Sequence, residues 1–109
     1  MNKVVLVEST KAKTEDGLEL ILAYYITEEI CKMTKRYMYG IKVVCDKNGI
    51  LESDSTGSIS YSREDVIKMC RILVNQQVTP ISLVEIVDEL ITLKSEEEEF
   101  LATPQLVFV

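Results

Sequence analysis

The chain has 109 residues, 47% of them hydrophobic, which suffices for one domain with a real core and excludes wholesale disorder. Its formal net charge of −6 sits in the second half: residues 1–48 carry eight basic and seven acidic side chains, residues 49–109 four and eleven. That half does not attract a phosphate backbone, suiting solubility or a basic partner, and the absence of histidine excludes Ser-His-Asp and Cys-His nucleophile systems within the chain.

The run Lys3–Thr10 is rich in valine and reads as a first strand. Asp16-Gly17 supplies a turn. In Leu18–Ile26, the residues Leu18, Leu20, Leu22, Tyr24 and Ile26 alternate as a core face, whereas Glu19, Ile21, Ala23 and Tyr25 form a mixed one. The polar stretch Thr27–Lys35 reads as a connection or as the outer end of a long hairpin. Alternation resumes over Arg36–Asp46 with Tyr37, Tyr39, Ile41, Val43 and Cys45 on one parity, which makes Cys45 a core residue. Gly40, inside that strand, marks a bulge or a close backbone approach.

Asn48-Gly49 tolerates the positive φ of a type I′ turn and predicts a tight hairpin into a weak, polar edge strand, Ile50–Ile59. Ser62 and Asp65 form a capping box, with Tyr61 and Val66 placed as a hydrophobic staple. The helix that follows carries Val66, Met69, Cys70 and Leu73 on one stripe, widened by Ile67 and Val74. It ends near Asn75–Gln77. Thr79 then reads as the N-cap of a second helix with Pro80 at its first position, and Val78 and Leu83 repeat the staple. Leu83, Ile86, Val87, Leu90 and Ile91 face inward, helped by Val84; Ser82, Glu85, Asp88, Glu89 and Thr92 face out. Glu96–Glu99 continue the helix or form a solvated linker, and the apolar end Leu106–Val109 suits a short strand.

Few of these features carry chemistry. Two helices joined at a tight corner suggest a helix-turn-helix, but the outward face of the second presents Glu85, Asp88 and Glu89, which repel phosphate. Lys32, Lys35 and Arg36 beside Tyr37 and Tyr39 have the ingredients of single-strand nucleic-acid binding, yet the tyrosines have core parity and Glu28 and Glu29 lie close by. The pairs Glu28-Glu29 and Asp88-Glu89 are solvated neighbours that do not converge on a point. The glycines are isolated, with no phosphate-cradling loop. Cys31, Cys45 and Cys70 are too far apart for a CxxC pair, and their odd number argues against a disulfide framework. Cys31 is the cysteine expected at the surface. With Lys32 beside it a lowered thiol pKa is conceivable, though an incidental surface thiol is the plainer reading.

The combination of "YYITEE", "YGIKV" and "VTPISLVEIVDELI" resembles a small uncharacterised domain family of Gram-positive anaerobic bacteria, carried as a domain of unknown function. The resemblance runs from about Leu18 to Ile91 and leaves the tail after Lys94 outside the pattern. It implies a bacterial cytosolic protein and brings no activity, cofactor or catalytic residue with it.

Together these readings give an α+β domain over residues 1–94: a four-stranded antiparallel meander followed by two helices packed on one sheet face, in the order ββββαα. Residues 95–109 follow as an acidic linker and apolar tail. The expected function is a non-enzymatic protein–protein interaction or regulatory module in the cytoplasm, and the mixed sheet face and apolar tail point to a homodimer through Ile21, Tyr25, Phe100, Leu106, Val107 and Phe108. No catalytic residue, metal, cofactor, nucleic acid or membrane is expected. The alternative is a small-molecule or nucleotide site on the 27–36 segment.

Overall fold

The computed structural model describes the backbone of residues 2–102 and the side chains of residues 2–93. Four strands, β1 (Lys3–Lys13), β2 (Glu19–Ile30), β3 (Tyr37–Lys47) and β4 (Ile50–Ser60), pair antiparallel in sequence order to form one sheet. Helix α1 (Arg63–Asn75) follows, then a single 3-10 turn over Pro80–Ser82 and helix α2 (Leu83–Ala102). The order ββββαα and the meander agree with the sequence reading. The expected terminal strand at Leu106–Val109 lies outside the described residues, as do the side chain of Phe100 and the whole of Leu106, Val107 and Phe108.

The alternating pattern of β2 and β3 determines which face is buried. Leu22, Tyr24 and Ile26 pair with Cys45, Val43 and Ile41, so all six point to one side. They are buried against Val66, Cys70, Leu73 and Val74 of α1, Val78, and Leu83 and Val87 of α2. Cys45 is thus a core residue, as its parity requires. The hairpins are set by backbone chemistry: Gly17 has φ +83°, and Asn48 and Gly49 have φ 54° and 88°, the double left-handed geometry of a type I′ turn.

Thr27–Ile30 belong to β2 and pair with Gly40, Tyr39, Met38 and Tyr37, so the connection shrinks to residues 31–36. Polar residues weaken the strand signal there without weakening the backbone ladder that β3 provides. Gly40 is a close-approach position. A Cβ there would lie 1.9 Å from the Gly57 carbonyl oxygen and 2.8 Å from Thr27 Oγ1. The pressure comes from β4, which bulges on both sides of its pairing with Gly40; Gly57 adopts φ +71° at the bulge.

Helix α1 begins with Asp65 N–H donating to Ser62 Oγ at 3.2 Å, the expected cap, while Ser62 N–H donates to Ser60 Oγ at 2.9 Å. Val66 is buried, whereas Tyr61, expected to staple onto it, is 37% exposed and carries the Arg36 guanidinium 4.3 Å above its ring. The helix ends in a Schellman motif: Gln77 N–H donates to Val74 O, Val78 N–H donates to Leu73 O, and Gln77 takes the left-handed φ of 52°. Thr79 does not cap through its side chain. Its carbonyl accepts from Ser82 N–H at 3.1 Å, closing the 3-10 turn that precedes α2. The staple half of the expectation holds, since Val78 and Leu83 are both buried. Val84, expected to help the inward side of α2, is instead exposed.

This corner is joined to the sheet by one buried hydrogen bond, Tyr24 Oη donating to the Val78 carbonyl at 2.8 Å. Burial pushes the Tyr24 hydroxyl pKa up from 10 to about 12.

Two outcomes follow. Tyr24→Phe strands the Val78 carbonyl in the core and is expected to cost about 1–3 kcal/mol in urea unfolding. Because the folded pKa is raised, the Tyr24 contribution is complete below pH 10 and is lost as pH rises from 10 to about 12, a decline that Tyr24→Phe should remove. Gly40→Ala is expected to cost about 2–4 kcal/mol because backbone must move. Gly57→Ala, with open space around it, carries only left-handed strain of about 1–2 kcal/mol.

Candidate functional site

Both helices lie on one side of the sheet, and the opposite face is left uncovered among the described residues. Its side chains are read off the register as rows crossing all four strands. Leu6, Tyr25, Lys42 and Ser55 form one row. Ser9, Ala23, Val44 and Ser53 form the next, and Lys11, Ile21, Asp46 and Leu51 the third. The bulge at Val7 makes this arrangement possible: it turns Val7 toward the core while keeping Leu6 and Ser9 on the outer face, although they differ in parity.

The face is apolar for an exposed surface. Leu6 is 55%, Ile21 42% and Leu51 67% exposed, and Tyr25, Ala23 and Val44 are half-buried by their neighbours. Ile21 and Tyr25, the two candidate interface residues within the described side chains, therefore stand on it in the first and third rows, on either side of Ala23. Leu6, Val44 and Leu51 share that surface and were not identified by sequence reasoning. Leu6 is hidden by the bulge in its strand and Leu51 by the polar pattern of β4, while Val44 lies on the parity opposite the core face of β3.

One end of the face sinks into a depression of about 480 Å³ lined by residues including Val4, Thr27, Glu29, Lys42, Ser53 and Ser58. Gly57 lines it without a side chain. Ser58 Oγ donates to Glu29 Oε1 across it. Of the 27–36 segment, only Thr27, Glu28 and Glu29 reach this depression.

The rest of that segment is a tight loop closed by Cys31 N–H to Arg36 O and Lys35 N–H to Cys31 O, both 2.8 Å. The Cys31 thiol pKa is lowered from 9 to about 7 by the Thr34 hydroxyl, with Thr34 and Met33 backbone N–H groups and the Tyr61 hydroxyl adding to it. Lys32, the neighbour that first suggested a lowered pKa, is not among the causes. The other two thiols behave oppositely: burial raises Cys45, and raises Cys70 to about 11. No group of three or more Cys, Asp or Glu side chains among the described residues is arranged to hold a metal ion. Among the same residues no helix is long and apolar enough to cross a membrane. The outward side of α2 presents Glu85, Asp88 and Glu89 around a shallow acidic surface.

A family described as a family of unknown function (DUF6514) matches residues 3–93, a longer span than the resemblance read from the sequence, and stops just before the acidic run. No curated protein and no solved structure matches the chain.

Alkylation of the native protein by iodoacetamide is expected to modify Cys31 alone, with a rate midpoint near pH 7. Thr34→Val should move that midpoint up toward the ordinary thiol range, and Cys45 and Cys70 should react only after unfolding. Site-resolved mass spectrometry across a pH series checks all three.

Proposed function

Since the chain belongs to the DUF6514 family of unknown function, whose description carries no activity, we propose from its surface that it is a non-enzymatic interaction or regulatory module of the bacterial cytosol. The observation behind this reading is the uncovered sheet face, where Leu6, Ile21 and Leu51 stay exposed around Ala23, Tyr25 and Val44. A face of that kind on a soluble domain is characteristic of a surface that meets another protein. The chain also lacks histidine, the commonest general base, which supports a binding role over a catalytic one.

The second reading, a small-molecule site, draws on the depression beside Thr27 and Glu29. Glu28, Glu29 and Asp54 line it with Lys3 and Lys42, so a nucleotide phosphate would meet three carboxylates, and an amine-bearing compound fits better. A thermal-shift screen of metabolites separates this reading from the first.

Immobilised full-length protein is expected to retain either a second copy of itself or another protein from a cell lysate. Ile21→Lys with Tyr25→Lys should abolish that retention, while Val84→Lys on the exposed side of α2 should leave it intact. Equal retention by all three forms, quantified against a bare-resin control, would remove the sheet face as the binding surface.

A further inference from the structure

We propose that the occupant of the uncovered face is a second copy of this chain, packed face to face with antiparallel strands. The two-fold axis runs along the Ser9–Ala23–Val44–Ser53 row. This deepens the interaction reading above and rests on it.

Four observations favour this occupant and this arrangement. The axial row holds four small or medium side chains, one per strand, so two sheets can approach along it at the usual spacing of about 10 Å. The rows on either side then exchange. With the axis perpendicular to the strands, Tyr25 lies over Ile21 of the second copy, and the Lys11 stem of the second copy covers Leu6. Lys42 lies over Asp46 of the second copy, and two-fold symmetry makes that ion pair twice.

Charge distribution is the second observation. Read off the register, the outer face carries Lys11, Lys13 and Lys42 against Glu19, Glu29 and Asp46, and the depression at its end adds Lys3, Glu28 and Asp54, so the face is within one charge of neutral in a chain of net charge −6. A neutral face with alternating signs suits its own image better than a strongly basic or acidic partner.

Third, the central charges are available and positioned. Among the described residues the ion pairs are Lys11–Glu19 and Lys68–Glu64, neither involving Lys42 or Asp46. Asp46 Oδ1 accepts from Gly49 N–H at 2.9 Å, which anchors the carboxylate beside the hairpin and leaves its other oxygen for a lysine.

Fourth, the area is adequate. With the axis on the Ala23 row about eight residues of each strand overlap, so four strands spaced about 4.8 Å cover roughly 500 Å² per copy and a pair buries roughly 1,000 Å², the lower limit of a specific interface. An axis parallel to the strands is the other two-fold choice. It would set Ile21 over Asp46 and bury a carboxylate against an aliphatic side chain, which is unfavourable.

The test uses the purified full-length chain, so no other protein is present. Light scattering is expected to give twice the chain mass. In a Cys31→Ser background, Val44→Cys should be joined to its copy by a short bifunctional maleimide, since Cα atoms on sheets about 10 Å apart lie beyond the reach of a direct disulfide. Lys42→Asp or Asp46→Lys alone should weaken dimerisation by about tenfold or more, because each creates two repulsions, and the double charge swap should restore it. A strict monomer overturns the proposal. So does a dimer that neither cross-links at position 44 nor responds to the charge reversals. A monomer in which the thiol at position 44 resists alkylation places a segment of the same chain on the face and likewise overturns it. If the purified chain is monomeric while Ile21→Lys with Tyr25→Lys still loses a lysate protein, only the second copy fails and the interaction reading stands.

Discussion

The hydrogen bond from Tyr24 to the Val78 carbonyl is the constraint around which the rest of the molecule is arranged. Tyr24 stands at the centre of the apolar side of β2, and Val78 is the first residue past the Schellman end of α1. The bond therefore fixes where the chain turns from one helix toward the next relative to the middle of the sheet. A buried tyrosine hydroxyl and a buried corner carbonyl each lose water on folding, and each would be costly alone. Their meeting satisfies both, and no side-chain nitrogen or oxygen among the described residues is left buried and unsatisfied. With the corner fixed, Leu73, Val78 and Leu83 converge on one patch, and α1 and α2 both settle on the same face.

That one-sidedness has a consequence for the other face. A four-stranded sheet with helices on one side only must present its second face to solvent or to a partner. Here the second face is not simply polar. It keeps aliphatic residues at Leu6, Ile21 and Leu51, and its charges balance, while the acidic excess lies elsewhere, including the outward side of α2 at Glu85, Asp88 and Glu89. Charge and apolar surface are thus separated onto different sides of the fold. An acidic outer helix places like-charge repulsion on that side of the fold and not across the sheet.

Much of this was legible in the sequence where one local rule acts alone. Alternation identified the core side of β2 and β3 down to Cys45, Asn48-Gly49 marked its turn, and Gly40 announced a close backbone approach because a glycine inside a strand has few other reasons to be there. The reading was wrong where two local rules compete. Thr79 has the composition of an N-cap, yet the 3-10 turn uses its backbone carbonyl and leaves its hydroxyl out of the cap. Tyr61 has the position of a staple but is taken up by Arg36, a residue distant in sequence. Gln77 occupies a left-handed position usually held by glycine, and its side chain donates to the Lys11 carbonyl on β1, a compensation that no local pattern announces. The outer face was only partly readable because membership depends on register. The bulge at Val7 inverts the parity of β1 midway, so Leu6 and Ser9 share a face that period-two counting would separate.

The same bulges account for the shape of the outer face. A sheet of uniform register would carry side chains at every outer position, and its surface would be evenly filled. The irregular pairing of β4 instead brings the Gly57 carbonyl onto Gly40, and Gly57 also lines the depression beside Thr27 and Glu29. At the centre the register is regular, and the small row from Ser9 to Ser53 is flanked by larger side chains on both sides. Relief of this kind restricts what can lie there: a flat sheet face accepts many registers, whereas a low central row between two taller ones favours a partner whose own rows interlock with them. The left-handed glycine at position 57 and the bulges beside it thus help to define not only the edge of the sheet but also the range of surfaces that its open face can accommodate.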